Sequence, residues 1–156
     1  MNFITFHCLG YDQKMKLHII TVGAPKLAYA KAGWDEYLQR LRHFHTVRVT
    51  QVADKNNDAE HLLAAAAKTT LVALVIDGPQ LSSHQLADFL AKRALESREV
   101  SFVIGGPAGL PAEVIAQAAH SWSLSSLTFP HDLAMVVLLE TLYRSSTINS
   151  GQPYHK

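Results

Sequence analysis

One stretch limits the folds open to this chain more than any other: a short apolar run that ends abruptly in glycine and proline. Val100–Ile104 has the length and the β-branched, aromatic character of a strand buried on both faces of a parallel sheet. The Gly-Gly-Pro sequence at 105–107 cannot continue a strand or a helix. Ligands of open α/β sheets bind at the carboxyl ends of strands, and glycine allows close approach to the backbone. The stretch therefore predicts either a ligand-binding loop or an ordinary strand-to-helix turn.

A second strand ends in the same way. Residues 71–76 are apolar on both faces, which predicts a strand in the interior of the sheet, and Asp-Gly-Pro follows at 77–79. Because the carboxyl ends of parallel strands meet at one edge of a sheet, we expect the two glycine-containing loops to lie side by side.

The rest of the chain alternates between strand and helix patterns. Ser82 or Ser83 is expected to cap the third helix. The β-α order, repeated five times, predicts an α/β fold in which helices cover both faces of a mostly parallel sheet. The remaining strands are predicted at 15–23, 46–52 and 121–129, the last running into a loop, and helices at about 26–44, 59–68, 85–96, 111–119 and 133–148.

Composition narrows the class of protein. With 156 residues, 48% of them hydrophobic and 17% charged, the chain is expected to form one compact domain. Its apolar runs are far shorter than the roughly 20 residues that cross a bilayer, so no membrane partner is expected. A single cysteine, Cys8, excludes a disulfide framework, and together with the lack of a convincing signal peptide it indicates the cytoplasm. Because the net charge is only +1, local basic patches must hold any nucleic-acid partner.

The amino-terminal segment stands apart from the rest. A clean strand opens at Met15, a second methionine, so we predict a single domain over residues 15–156 that is preceded by an extension over residues 1–14. The extension could instead form an additional edge strand or a dimer contact, and the sequence leaves these alternatives open.

Common cofactor and metal motifs are missing. Gly105, Gly106 and Gly109 are not spaced as the G-x-G-x-x-G dinucleotide fingerprint, and no Walker A lysine occurs, which disfavours nicotinamide and nucleoside triphosphate enzymes. His43 and His45 are expected to be surface or capping residues, because no third ligand lies at a recognisable spacing. We therefore predict no metal site.

The carboxyl third carries three further patterns. Across residues 121–129 hydroxyl side chains alternate with apolar ones, which suits an adenosine-like ligand or forms a plain polar turn. Glu140 and Arg144 lie four residues apart on the last helix, and the chain closes with Tyr154 and His155 near its end. The last helix is expected to bury one apolar side, made of Leu133, Val136, Val137, Leu139 and Leu142.

These motifs, in this order, closely resemble those of the ribosomal RNA large subunit methyltransferase H family, which belongs to the SPOUT class of knotted methyltransferases. The resemblance rests on residues 104–109, 121–131, 140–144 and 153–155, and it covers residues 15–156. It implies that the carboxyl third is threaded into a deep trefoil knot, a rare exception among protein folds.

The resemblance also implies a function. Members of the family use S-adenosylmethionine, which leaves as S-adenosylhomocysteine, to methylate N3 of a pseudouridine (position 1915) in 23S ribosomal RNA on the assembled ribosome. They need no metal and act as homodimers. Carried over by motif, the cofactor-binding positions are Leu74, Gly105, Gly106, Leu124, Ser125, Ser126, Leu127, Thr128 and Phe129.

The catalytic candidates also follow from the resemblance, which places the carboxyl end at the active site. Tyr154 and His155 would contact the base and assist loss of the imide proton, and Arg144 would bind a phosphate or base oxygen. Glu140 would orient Arg144. An internal ion pair is an equal alternative for Glu140 and Arg144, and a disordered tail is the alternative for Tyr154 and His155.

Three features depart from the family pattern. The first fourteen residues have no counterpart, the stretch between Val52 and Ala59 lacks the longer lysine-rich segment of relatives, and Lys156 carries the charge of an arginine without its forked geometry. A symmetric dimer packed through the last helix and the knot region is expected. A SPOUT methyltransferase acting on transfer RNA and a non-catalytic RNA-binding protein of the same fold are the alternatives.

Overall fold

The computed structural model of the chain describes residues 14–155. Except for Lys14, the predicted extension lies outside the described residues, and so does Lys156. The predicted order of strands and helices is confirmed, and a short 3-10 helix, Asp54–Asn56, precedes the second helix. The elements are β1 Lys16–Val22, α1 Ala28–Phe44, β2 Thr46–Val52, α2 Ala59–Ala65, β3 Thr70–Leu74, α3 Ser83–Leu95, β4 Val100–Ile104, α4 Ala112–Gln117, β5 His120–Trp122 and α5 His131–Asn149.

The five strands form one parallel sheet in the order β2-β1-β4-β3-β5. The strand that ends in the glycines, β4, lies in the middle, and Phe102 pairs in register with Ile19 on one side and Val72 on the other. β3 is interior, as its apolar sequence predicts, and the alternating strand β2 lies at an edge. This order is compatible with a knotted carboxyl third, and the knot itself stays a prediction.

Helices cover both faces of the sheet, as predicted. α1, α3 and α5 pack on one face, where Phe102 and Ile19 are fully buried, and α2 and α4 pack on the other face against Ile20 and Val103. Successive residues of a strand point to opposite faces, so β1 and β4 contribute to both cores. This two-faced burial explains why the interior strands β3 and β4 are largely apolar without alternation.

The predicted buried side of α5 is wrong in part. Leu139 and Leu142 are buried as expected, but Leu133, Val136 and Val137 are only half-buried. The side chains buried beside Leu139 and Leu142 are Met135 and Leu138. α5 contacts both α1 and α3 and is apolar around most of its circumference, so its sequence period does not select one face.

Two helix ends illustrate what local sequence decides. Ser82 caps α3 in a capping box with Gln85, which confirms one of the two predicted caps. The second helix was expected to reach residue 68, but α2 ends at Ala65, and Lys68 adopts a φ of +65° that no right-handed helix contains.

The two histidines considered as metal ligands differ in environment. His43 is exposed. His45 is the C-cap residue of α1, as one prediction had it, but it is buried rather than on the surface, and its Nε2 atom lies 2.7 Å from the Ser146 hydroxyl. Burial lowers the pKa of His45 to about 4, so the ring is neutral at pH 7.

A single carboxylate joins the beginnings of α1 and α5. The N-cap residue of α1, Leu27, offers no capping side chain. Instead the backbone N–H groups of Lys26 and Leu27 both donate to Asp132 Oδ2, at 2.7 Å each. The hydrogen bond from Leu27 is the main cause that lowers the pKa of the Asp132 carboxyl. Next to it, His131 Nε2 donates to the Val22 carbonyl oxygen at 2.8 Å, which fixes the start of α5 against the end of β1.

Within residues 14–155, no helix combines the length and the apolar character needed to span a membrane.

We expect the substitution Asp132→Asn to lower the free energy of unfolding at pH 7 by about 1–2 kcal/mol, because a charged acceptor binds N–H donors more strongly than a neutral one. The folded-state pKa of Asp132 lies below its unfolded value. The carboxylate therefore stabilises the fold above the unfolded pKa, and this contribution is lost as the pH falls through the folded pKa. Urea unfolding at pH 7 and again at about pH 3 measures both effects.

The matched control is Asp35→Asn, on the exposed side of α1. It should change the stability little at either pH. An Asp132→Asn difference that persists undiminished at the acidic pH would contradict the proposed role of the charge.

Candidate functional site

A cavity of about 390 Å³ opens at the edge of the sheet where β3 and β4 end. Three segments line it: residues 74–76 after β3, residues 104–107 and 109 after β4, and residues 123–125, 127–131 and 134, which lead from β5 into α5. The volume falls within the range of small-molecule sites, roughly 300–1,000 Å³. The two glycine-containing breaks thus follow neighbouring strands at one edge, as the sequence predicts.

Backbone hydrogen bonds hold the first and third segments together. Val75 N–H donates to the Trp122 carbonyl oxygen at 2.8 Å, and Ser123 N–H donates to the Pro79 carbonyl oxygen at 2.9 Å. The Ser123 hydroxyl lies 2.8 Å from the Ile76 carbonyl oxygen and 2.7 Å from that of Ser125. Because Ser123 is buried, these contacts fix the loop after β5 against the end of β3.

The second segment includes a tight turn of the backbone over residues 105–109, which we call the glycine loop. Gly109 N–H donates to the Gly106 carbonyl oxygen at 2.8 Å, and Gly109 has a φ of +81°. A Cβ atom on Gly105 would lie 2.5 Å from the carbonyl carbon of Gly109 and 2.7 Å from the nitrogen of Leu110. These are backbone atoms, which cannot rotate away, so only glycine fits at position 105.

The cavity wall combines apolar side chains with backbone groups and hydroxyls. Leu74, Ile104 and Phe129 are among the apolar contributors, while Ser125 and Thr128 offer hydroxyl groups. His131 also lines the cavity, but its Nε2 atom is engaged with the Val22 carbonyl oxygen. Such a wall suits a flat, largely apolar ligand with a polar edge rather than a phosphate group.

The four predicted catalytic residues, which we call the tail cluster (Glu140, Arg144, Tyr154 and His155), come together where the carboxyl tail folds back onto α5. Glu140 Oε1 accepts hydrogen bonds from Arg144 Nη2 at 2.6 Å, Arg144 Nε at 3.0 Å and the Tyr154 hydroxyl at 3.0 Å. The Arg144 guanidinium lies 4.8 Å from the centre of the Tyr154 ring. One carboxylate thus holds both the arginine and the tail.

The environment of the tail cluster determines its protonation. Burial, followed by the hydrogen bonds to Tyr37 and Glu140, raises the pKa of the Tyr154 hydroxyl, which is therefore neutral and a donor at pH 7. Its oxygen lies 3.3 Å from the Tyr37 hydroxyl oxygen, and its ring packs against Tyr143 at 4.7 Å. His155 is exposed, and its Nδ1 atom lies 3.4 Å from Arg144 Nη1.

The cavity and the tail cluster are separated along α5. Ala134 lines the cavity, and Glu140 and Arg144 follow it by six and ten residues. At 1.5 Å per residue, these spacings correspond to about 9 Å and about 15 Å along the helix axis. No residue of the tail cluster lines the cavity, so within one chain the cavity and the tail cluster are two separate sites.

Residues 15–155 match the family described as "Predicted SPOUT methyltransferase". The chain is 51% identical over 145 residues to the ribosomal RNA large subunit methyltransferase H of Deinococcus radiodurans, an alignment that covers 91% of this chain and 99% of the relative. The enzyme of the same name from Deinococcus deserti is 48% identical and is covered completely. The chain belongs to the SPOUT methyltransferase family, alongside its ribosomal RNA large subunit methyltransferase H members.

The fold agrees with this assignment. A crystal structure described as a putative methylase family protein from Neisseria gonorrhoeae superimposes with a TM-score of 0.57, covering 89% of this chain and 86% of that protein. Sequence identity is only 12%, so this likeness concerns the fold alone. The predicted α/β architecture of a SPOUT methyltransferase is thus confirmed.

Eight of the nine positions that the SPOUT resemblance assigns to the cofactor line the cavity. Ser126, the ninth, is exposed and does not contribute to the wall. The four positions assigned to catalysis come together in the tail cluster instead. Their roles stay predictions.

Sequence reasoning missed two residues that organise the cavity. Ser123 was part of the alternating run at 121–129 but was not singled out, although a hydroxyl directly after a short strand is a local signal. His131 closes the motif at 121–131 but is given no role in the sequence analysis, although a helix that starts at the carboxyl edge of a sheet brings its first residues to the ligand site.

Removal of the Tyr154 hydroxyl should release the tail from α5. We expect Tyr154→Phe to increase picosecond-to-nanosecond motion of residues 152–155, because the contacts to Glu140 and Tyr37 are lost. Backbone order parameters measured by ¹⁵N relaxation should fall from about 0.85 toward 0.6 or below.

Tyr29→Phe, which changes an exposed tyrosine at the start of α1, is the matched control and should leave the tail unchanged. Order parameters in the Tyr154→Phe variant that equal those of the wild type would mean that the hydroxyl does not hold the tail.

Proposed function

We propose that this protein transfers a methyl group from S-adenosylmethionine to N3 of a pseudouridine in 23S ribosomal RNA of the assembled ribosome. The observation that carries the proposal is the 51% identity to a ribosomal RNA large subunit methyltransferase H along nearly its whole length. A cavity bounded by three loops at the carboxyl edge of the sheet supports it. The ribosomal substrate places the enzyme in the cytoplasm.

The cavity fits the adenosyl part of the cofactor. Leu74 and residues 124–129 would enclose the adenine, and the glycine loop would present its backbone to the ribose or the amino acid end. The cofactor supplies an electrophilic methyl sulfonium group and leaves as S-adenosylhomocysteine. In this proposal no metal takes part.

The residues of the chain have two chemical tasks: to orient the base nitrogen in line with the methyl group, and to assist loss of the imide proton. The exposed ring of His155 is the candidate for accepting that proton. Neutral Tyr154, whose hydroxyl hydrogen is donated to Glu140, would contact the base. Glu140 engages Nε and Nη2 of Arg144, which leaves Nη1, on the side of His155, for a phosphate or base oxygen.

A dimer would bring the two groups together. Within one chain the tail cluster is displaced from the cavity by about 9–15 Å along α5. α5 leaves Leu133, Val136 and Val137 half-buried, and Leu127 at the rim of the cavity is 73% exposed. We infer a symmetric dimer packed through α5 and a knotted carboxyl third, in which the tail cluster of each subunit faces the cavity of its partner.

Methyl transfer from labelled S-adenosylmethionine to intact ribosomes, compared with free 23S RNA and with transfer RNA, tests the function. We expect incorporation into ribosomes that lack the modification, at one pseudouridine. Gly105→Ala should abolish it, because the added Cβ would lie 2.5–2.7 Å from backbone atoms of the glycine loop. Ala108→Ser, an exposed position of the same loop, should retain transfer.

No incorporation into ribosomes by the wild-type protein would overturn the proposal. Incorporation into transfer RNA instead would favour the alternative SPOUT substrate. Binding of RNA without any transfer would indicate a non-catalytic member of the fold.

Mixed dimers test the shared site. We would isolate, through two affinity tags, a dimer of one Gly105→Ala chain and one His155→Ala chain. If each tail acts on the partner's cavity, one active site is intact, because the unchanged tail of the Gly105→Ala chain meets the unchanged cavity of the His155→Ala chain. We then expect about half of the wild-type activity, whereas each homodimeric variant is inactive. If the tail acts on its own cavity, the mixed dimer has no intact site and no activity. A monomer in sedimentation at micromolar concentration would overturn the dimer itself.

A further inference from the structure

We propose that Asn57 is a positioning residue that holds the glycine loop in the shape the cofactor requires. The inference rests on the proposed function, since it concerns the site at which S-adenosylmethionine would bind. Asn57 does not line the cavity and lies between the 3-10 helix and α2, on the opposite side of the glycine loop.

The contacts of Asn57 are with the backbone of the glycine loop. Its Nδ2 atom donates to the Gly109 carbonyl oxygen at 3.2 Å. A Cβ atom built on Gly106 would lie 3.5 Å from the same Nδ2 atom, so the side chain also packs against Gly106. Both glycines line the cavity. Asn57 therefore supports the cavity wall from behind.

The position of Asn57 is fixed on both sides along the chain. Before it, the 3-10 helix closes with a hydrogen bond from Asn57 N–H to the Asp54 carbonyl oxygen at 3.3 Å. After it, Asp58 caps α2 by accepting from His61 N–H at 2.9 Å. An amide between two anchored turns reaches the glycine loop with little freedom to move, as a positioning group must.

The Gly109 carbonyl is a suitable point of control. Gly109 has a φ of +81°, and the glycine loop has few side chains to limit its motion. The peptide group that follows Gly109 carries the Leu110 nitrogen, which lies 2.7 Å from the Cβ position of Gly105. A rotation of this peptide group would disturb the close packing of Gly105 against Gly109 and Leu110. The donor on Asn57 opposes that rotation by fixing the carbonyl oxygen.

The orientation of the amide is determined by its contacts. The Oδ1 atom of Asn57 is buried and has no hydrogen-bond partner within residues 14–155. A buried acceptor without a partner costs free energy, so Oδ1 does not stabilise this position. Its Nδ2 donor is the group with a partner. Aspartate has nearly the same shape but no donor when ionised, which makes it the sharpest substitution.

Calorimetric titration with S-adenosylhomocysteine, which cannot react, tests the inference. We expect Asn57→Asp to weaken binding at least about tenfold at pH 7.5, since the donor is lost and a negative charge faces the Gly109 carbonyl oxygen. Asn57→Ala should weaken it by less. The matched control Asn56→Asp introduces the same charge one residue earlier and should change the Kd by no more than about twofold.

The pH dependence of the Kd distinguishes a hydrogen-bonding role of residue 57 from a role in packing alone. We expect partial burial beside a carbonyl oxygen to raise the pKa of a carboxyl group at this position, and the protonated carboxyl could donate a hydrogen bond. The ratio of the Kd of Asn57→Asp to the Kd of Asn56→Asp for S-adenosylhomocysteine should therefore be smaller at pH 5.5 than at pH 7.5. The KM for ribosomes should stay unchanged while the KM for the cofactor rises.

Two results would overturn the inference. One is a Kd in Asn57→Asp and Asn57→Ala equal to that of the wild type. The other is a loss of affinity for S-adenosylhomocysteine in Asn57→Asp that is the same at both pH values and parallels a loss of thermal stability. Either would leave the proposed function intact, whereas a wild-type protein that does not bind S-adenosylhomocysteine would overturn both.

Discussion

The close packing of Gly105 against Gly109 and Leu110 is the contact on which the cavity depends. It allows β4, the middle strand of the sheet, to end in a curl only a few residues long. A longer turn would fill the space into which the loops after β3 and β5 converge. Because Leu74 and Ile104 pair in register, the ends of the two strands are level, and the cavity opens directly above them.

The surroundings of the glycine loop maintain this arrangement through contacts between distant parts of the chain. Asp132 joins the start of α5 to the start of α1, and His131 binds the end of β1, so these two residues hold one end of the third wall segment. Ser123 holds its other end. Asn57 supports the glycine loop from the other side. The cavity is thus built mainly from backbone that a few buried and half-buried polar side chains hold in place, which is consistent with a ligand recognised by shape and hydrogen bonds rather than by charge.

The tail cluster follows a different principle. Glu140 holds Arg144 and Tyr154, Arg144 Nη1 lies 3.4 Å from His155 Nδ1, burial keeps Tyr154 neutral, and the ring of His155 stays exposed. A group that is assembled on one chain but displaced from the cavity suits an enzyme whose active site is completed by a second subunit. In the proposed dimer, the half-buried Leu133 and Val137 of α5 would contribute to the contact between the subunits.

Much of this structure could be predicted from sequence, and the exceptions share a cause. The order of strands and helices along the chain and the location of the cavity follow from local signals, because a strand buried on both faces and a Gly-Gly-Pro break are visible within ten residues. The buried side of α5 could not be predicted, since a helix apolar around most of its circumference has no preferred face. Asp132 and Asn57 bind backbone groups 105 and 52 residues away, and no local pattern reveals such contacts. Ser126 was placed on the cavity wall because it lies within a motif, but it turns to the surface.

A crystal structure of the protein with saturating S-adenosylhomocysteine would locate the cofactor. We expect the adenine and ribose to contact all three wall segments, with the backbone of Gly105 and Gly106 against the ribose or the amino acid end of the ligand. Tyr154 or His155 of a second subunit should lie near the sulfur atom. Ligand density at any other place on the surface, or a cavity that stays closed to the ligand at saturation, would contradict the assignment of these loops as the cofactor site.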